Sequence, residues 1–162
     1  MMGSDPVERP PRVAVCGAGV CGRELAAVAE AVGRELARAG AVLLCGGLGG
    51  VMEAAARGAA EEGGIVVGVL PGRDARNANR HVGIPLPTGM GEGRNVLVVR
   101  FAEALIAIGG EWGTLSEVAL ARKIDVPVVL LRPGLTAGLD LPETTTAAEA
   151  VAWALDAARP TP

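Results

Sequence analysis

Glu117 and Arg94 are the two charged residues of this 162-residue chain whose surroundings could do chemistry. Glu117 closes the segment Ile108-Gly109-Gly110-Glu111-Trp112-Gly113-Thr114-Leu115-Ser116-Glu117, which follows the apolar run Ala104-Leu105-Ile106-Ala107-Ile108. An uninterrupted apolar run of that length reads as a buried parallel strand. The glycines allow a tight turn in which backbone can approach a ligand without Cβ obstruction. A helix opening at Thr114 would then offer its first, unpaired amides to an anion. The spacing predicts Glu117 in the first turn of that helix, beside a cradle for a phosphorylated ligand. A plainer outcome is a capping box over Thr114–Glu117, in which the acid bonds only the Thr114 amide and contributes about 1 kcal/mol. Arg94 follows a run of glycines and opens another predicted helix, where a cation opposes the helix dipole. An anionic ligand explains it better than a solvated surface position does.

Two further glycine turns belong with these residues. Gly17-Ala18-Gly19-Val20-Cys21-Gly22 matches the spacing of a dinucleotide fingerprint, yet the second predicted strand ends Cys45-Gly46, with no acid for a ribose. Gly17 and Gly19 are therefore expected in a strand-to-helix turn that touches a smaller phosphorylated ligand. Gly46-Gly47-Leu48-Gly49-Gly50 places four glycines in five positions ahead of a helix. Gly46, Gly47 and Gly49 are expected to line the ligand, as is Gly110. Trp112 is carried on a glycine turn, where its indole could stack on a flat ring or pack under a second subunit.

These turns need elements to hold them. Strands are predicted at Arg12–Cys16, Ala41–Cys45, Ile65–Leu70, Val82–Leu86, Ala104–Ile108 and Pro127–Leu131. Helices are predicted from about Gly22 to Ala39, Val51 to Glu62, Arg94 to Glu103 and Thr114 to Asp125, with a last one opened by the capping box Thr146-Ala147-Ala148-Glu149. The first has Leu25, Val28, Ala29, Val32 and Leu36 on one face and charges opposite, and Gly40 stops it. Arg73–Arg80 reads as a polar loop and Gly89–Gly93 as a mobile one. Alternating strands and helices with non-alternating apolar strands predict a three-layer α/β domain, a parallel sheet with helices on both faces, over residues 12–159. Residues 1–11 are expected to form a flexible arm. Each glycine cluster follows a strand, so all should meet beyond the carboxyl ends of the sheet.

Composition narrows the function. Half of the residues are hydrophobic, 20% are charged, and the net charge is −3; mean hydropathy is +0.38 and the pI near 5.2. No basic footprint for nucleic acid is present, and one Phe with two Trp supplies no platform for stacked bases. No apolar stretch approaches the ~20 residues that cross a bilayer. A cytoplasmic protein is expected, and the apolar content suggests a homodimer or higher homo-oligomer. Cys16, Cys21 and Cys45, odd in number and without CxxC spacing, read as small buried hydrophobes and not as a disulfide or zinc set. His81, the only histidine, is expected exposed, and Trp153 in core or interface. No metal or resident cofactor is expected.

With these residues in view, the chain resembles the Lonely Guy (LOG) family, whose members long carried the name lysine decarboxylase. That family has an arginine on a helix, a strand, and Pro-Gly-Gly-x-Gly-Thr-x-x-Glu, which Arg94 and Gly109–Glu117 match in register. The turn before Val51-Met52 is similar to the family's second glycine element. The resemblance spans about Val13 to Leu131. It implies a Rossmann-like dimer that hydrolyses the N-glycosidic bond of nucleoside 5′-monophosphates to free base and ribose 5-phosphate. Amides of Gly113, Thr114 and Leu115 would hold the 5′-phosphate, Glu117 would stabilise the oxocarbenium-like charge, and Arg94 would keep Glu117 ionised. Gly109 replaces the family's proline, Glu111 its glycine, and Asn95 a lysine. Those departures resemble a sister branch that includes molybdenum-cofactor carrier proteins, which bind a phosphorylated pterin and perform no chemistry.

Overall fold

The computed structural model describes residues 9–158; residues 1–8 of the expected arm, and residue 159, lie outside the described residues. Seven strands form one parallel sheet in the order β4-β3-β2-β1-β5-β6-β7. They are β1 (Arg12–Gly17), β2 (Val42–Cys45), β3 (Val66–Leu70), β4 (Ile84–Pro87), β5 (Ala104–Ile108), β6 (Val128–Leu131) and β7 (Glu143–Thr144). Five helices cover it: α1 (Arg23–Arg38), α2 (Val51–Glu61), α3 (Asn95–Arg100), α4 (Trp112–Lys123) and α5 (Ala147–Ala157). The three-layer Rossmann-like α/β class read from the sequence is the one observed.

The period-two geometry of a strand divides the core into two layers. Val13 and Val15 of β1, Ile106 and Ile108 of β5, and Val129 and Leu131 of β6 pack with α1, α2 and α5. Ala14 and Cys16, Leu105 and Ala107, and Val128 and Leu130 pack with α3 and α4. Full burial of a Val, Leu or Ile side chain stabilises by about 1.5–3 kcal/mol, so both layers hold the sheet firmly. On the first layer, a Cβ at Gly33 would collide with the Ala55 carbonyl and one at Gly58 with the Glu30 carbonyl. Glycine is required at both positions because the backbones of α1 and α2 touch.

Several elements differ from the sequence reading by more than one residue. A 3-10 turn over Gly91–Arg94 precedes α3, which ends at Arg100. Glu103 is drawn instead to the sheet: its amide donates to the Arg12 carbonyl and its carboxylate accepts from the Arg12 amide, each at 2.8 Å. The Gly89–Gly93 loop is fastened to the end of β3, Gly89 donating to Gly72 and Gly91 to Pro71. The strand expected over Val82–Leu86 lies at Ile84–Pro87, and β7 was not foreseen. The Thr146–Glu149 capping box forms as read.

Consecutive elements run one way from β1, through α1 to β2, and the other way from β5, through α4 to β6. The sheet order therefore reverses between β1 and β5, the place beyond whose strand ends sheets of this class bind their ligands.

Candidate functional site

The loops after β1 and β5 leave the sheet side by side at this point, and α4 begins there. The helix starts at Trp112 with Glu111 as its N-cap residue, two positions before the expected Thr114, and without a side-chain cap. This corrects the capping-box reading: Thr114 is the third helical residue, and Glu117 falls in the second turn. It also corrects the set of unpaired amides. Leu115 donates to the Glu111 carbonyl at 2.9 Å, so the amides left without an intrahelical partner are those of Trp112, Gly113 and Thr114. The early start has a tertiary cause. Gly110, at a φ of 128° that L side chains rarely adopt, turns the chain tightly. Its carbonyl accepts from Leu135 at 3.1 Å, and a Cβ on Gly134 would strike it.

Glu117 is 7% exposed and points to the sheet layer that holds Cys16. Burial pushes its carboxyl up to about 7; the Arg94 charge and the Cys16 thiol, within hydrogen-bonding reach, oppose that shift, and Glu92 adds to it. The Cys16 thiol is itself raised well above its ordinary value, first by burial and then by the Glu117 charge. Cys16 is thus more than the small buried hydrophobe expected, whereas Cys45, buried and pushed up to about 11 by desolvation, fits that reading. In the register Cys16 pairs with Ala107, and two small side chains on this layer leave room for the larger polar groups.

Arg94 is 7% exposed and lies near enough to Glu117 for their charges to interact. Among the described residues no ion pair joins the two. Arg94 Nη1 donates instead to Asn95 Oδ1, and Nη2 reaches the Gly46 carbonyl at a long 3.4 Å. Arg94 Nε and Thr114 Oγ1 are buried without a partner. An unsatisfied buried polar group costs about 1–3 kcal/mol, and two together mark a place built for something other than stability.

The glycines divide into two groups. A Cβ on Gly46 would meet Arg94 Nη2 and Met52 Sδ at 2.6 Å, one on Gly47 would meet Leu70, and one on Gly17 would meet Val51 at 2.5 Å. Gly49 approaches the Gly19 carbonyl, and Gly110 accommodates Thr114. All five are closely packed, against α2, α4, β3, Arg94 or the facing loop. Gly19 and Gly113 have nothing within 4 Å of where a Cβ would lie, so they present bare main chain to open space. Trp112 is 76% exposed and Val20, on the β1 loop, 88%. Trp112 and Gly113 also line a groove of about 820 Å³ with Glu92, Asn95, Val96, Ser116 and Leu120.

Val20, Cys16, Asn95 and Ser116 were not singled out as site residues from the sequence. The alternation of β1 could have placed Cys16 on the α4 side, and Asn95 stood out only as a departure from the LOG pattern; nothing local flags Val20 or Ser116. His81 is half-buried, and Trp153 packs on the core layer of α1, α2 and α5. Among the described residues no cluster of side chains could hold a metal ion.

A parallel sheet that reverses between β1 and β5, with a buried acid, a buried arginine and an uncapped helix start at that point, can be set beside known proteins. The model of the SLOG cluster4 family matches residues 10–157. The chain belongs to this family. It is 46% identical over 122 residues to an uncharacterized protein of Archaeoglobus fulgidus, covering 75% of this chain and 80% of that one. It superposes on the molybdenum cofactor binding protein of Rippkaea orientalis with a TM-score of 0.86 and 34% identity, over 91% of this chain and 97% of that one. A Moco carrier protein from Chlamydomonas reinhardtii gives a TM-score of 0.81 and 36% identity, over 92% and 98%. The SLOG fold is a nucleotide-binding one, and the two solved proteins are named for binding or carrying molybdenum cofactor. Among the described residues no helix is long and apolar enough to cross a membrane.

Proposed function

We propose that this protein binds a phosphorylated ring compound of the molybdenum-cofactor type and holds it without cleaving it. The observation that carries this reading is the first turn of α4, where the exposed Trp112 indole sits on the same turn as three unpaired amides. Amides of Trp112, Gly113 and Thr114 suit a phosphate, helped by the helix dipole and the unpartnered Thr114 hydroxyl. Trp112 and Val20 supply an apolar rim for a flat ring, with Gly19 and Gly113 letting the ligand meet main chain. Gly17, Gly46, Gly47, Gly49 and Gly110 shape the loops behind it. Similarity to the Rippkaea and Chlamydomonas proteins over more than nine-tenths of the chain supports a pterin-like cargo.

Phosphoribohydrolase activity is the second reading, favoured by the shared setting of Glu117 and Arg94. Hydrolysis needs Glu117 ionised. Here burial raises its carboxyl to about 7, leaving it only partly ionised at neutral pH, and the Arg94 guanidinium is engaged by Asn95 and not by the acid.

The purified protein should bring down a phosphorylated pterin, seen as fluorescence after oxidative release. It should liberate no base from AMP or other nucleoside monophosphates by chromatography. Base release that disappears in Glu117→Ala would replace the carrier reading with the hydrolase one. Trp112→Ala is expected to weaken pterin binding about tenfold or more. Unfolding free energy should stay within about 0.5 kcal/mol of wild type, as for other surface substitutions. A homodimer is part of the proposal; light scattering at one 16.3 kDa chain would remove it.

A further inference from the structure

Asn95 is 6% exposed, and its side-chain amide stands between Arg94 and α4. Arginine can only donate, so the Asn95 oxygen must face Nη1, and the Asn95 NH2 must face away from it. That NH2 donates to Ser116 Oγ at 3.1 Å. Ser116 therefore accepts there and spends its own proton on the Gly113 carbonyl at 2.7 Å. Every direction in this chain of bonds is fixed by the guanidinium at its head. It ends on the helical turn that carries the Gly113 amide.

With Nη1 held by Asn95, the opposite edge of the guanidinium, Nε and Nη2, remains. Nε has no partner, and Nη2 has only the long contact to Gly46. Those two parallel N–H groups are the edge that fits an anion bidentately.

We propose that Asn95 is a positioning residue that turns Arg94 away from a direct pair with Glu117, keeps the Nε–Nη2 edge free, and couples it to the first turn of α4. The use of that edge as a ligand clamp rests on the binding reading above; the aiming of Arg94 does not. Lysine or alanine in place of Asn95 would release the guanidinium, and Glu117 is the anion within its reach.

The test follows the Glu117 carboxyl by 13C NMR across pH in the ligand-free protein, where Cys16, Arg94 and Glu92 are the groups whose charge or hydrogen bonding acts on it. In Asn95→Ala the freed Arg94 closes on Glu117, and the carboxyl midpoint falls by one unit or more. Asn95→Asp still accepts from Nη1, so its midpoint does not fall. Should the alanine variant fail to fold, Asn95→Leu, of similar size and unable to hydrogen-bond, takes its place. An unchanged midpoint in the Ala or Leu variant, or a fall in Asp equal to theirs, overturns the proposal. Because no ligand enters this comparison, an absence of bound pterin would count against the proposed function alone.

Discussion

The two faces of the sheet are built to different ends. On the face covered by α1, α2 and α5, helices meet backbone to backbone at Gly33 and Gly58, and their outer surface is laced by charges. Glu30 accepts from Arg34 at 2.9 Å and from Arg57 Nε at 2.9 Å, and these partners hold its carboxyl below the usual range. On the α3–α4 face, α3 has only six residues, and Arg94, Asn95, Thr114 and Glu117 are buried, two of them with an atom unpaired. The first face keeps its charges outside and pairs them. The second buries polar groups and leaves some unpaired, and such violations of local rules gather where a protein binds or reacts. Burying unpaired polar groups beside α3 and in α4 costs stability, which supports the binding reading proposed for this face.

The contrast can be broken most sharply at α1–α2. Gly33→Val forces the helices apart and should cost about 3 kcal/mol, lowering Tm by about 6–12 °C in calorimetry. A melting point near that of wild type would mean the two helices are not in fixed contact.

The matching test on the other face is Glu117→Gln. The native carboxyl titrates near 7 against 4.5 for an ordinary glutamate, so the folded chain keeps a proton that the unfolded chain releases. Stability from this group is therefore full below about pH 4.5 and is lost as pH rises through 7, by about 3 kcal/mol in all. Glutamine should remove that loss, making the variant more stable than wild type at pH 8 and nearly equal at pH 4.5 in urea titrations. Parallel pH profiles for the two proteins would contradict the buried acid.

A small effect completes the comparison. Arg57→Ala deletes a half-exposed ion pair and should cost only about 0.5 kcal/mol, falling further in high salt. A loss above 2 kcal/mol would show that the charged lattice is more than decoration.

How far the sequence carried the structure follows the range of the forces involved. β5 was read at its true bounds because five apolar residues between a charged Glu103 and a glycine pair are too short for a helix and fit a buried strand. Gly40 and the Thr146 box ended and began helices as expected, since both act within one turn. The start of α4 was misplaced because Thr114 has the local pattern of a cap, while the real start depends on Gly110 being held by Leu135 and Gly134, from beyond the next strand. α3 was overextended for the same reason: Glu103 is captured by Arg12 at the sheet. In the site, Glu117 and Arg94 were recognised by type and register and do come near each other. Their partners were hidden. Cys16 against Glu117 and Asn95 between Arg94 and Ser116 are contacts that only the folded layers create. The close packing around Gly17, Gly46 and Gly47, against Val51, Arg94 and Leu70, is likewise a contact between distant segments that no local pattern shows.

Val20 and Trp112 stand on the two banks of the divide between β1 and β5, one in the first eighth of the chain and one past its middle. A molecule lodged between them would rivet together segments that the polypeptide itself connects only by a long detour through four strands. Occupancy would then register as a stiffer whole, raising resistance to heat and proteases in proportion to the logarithm of ligand concentration.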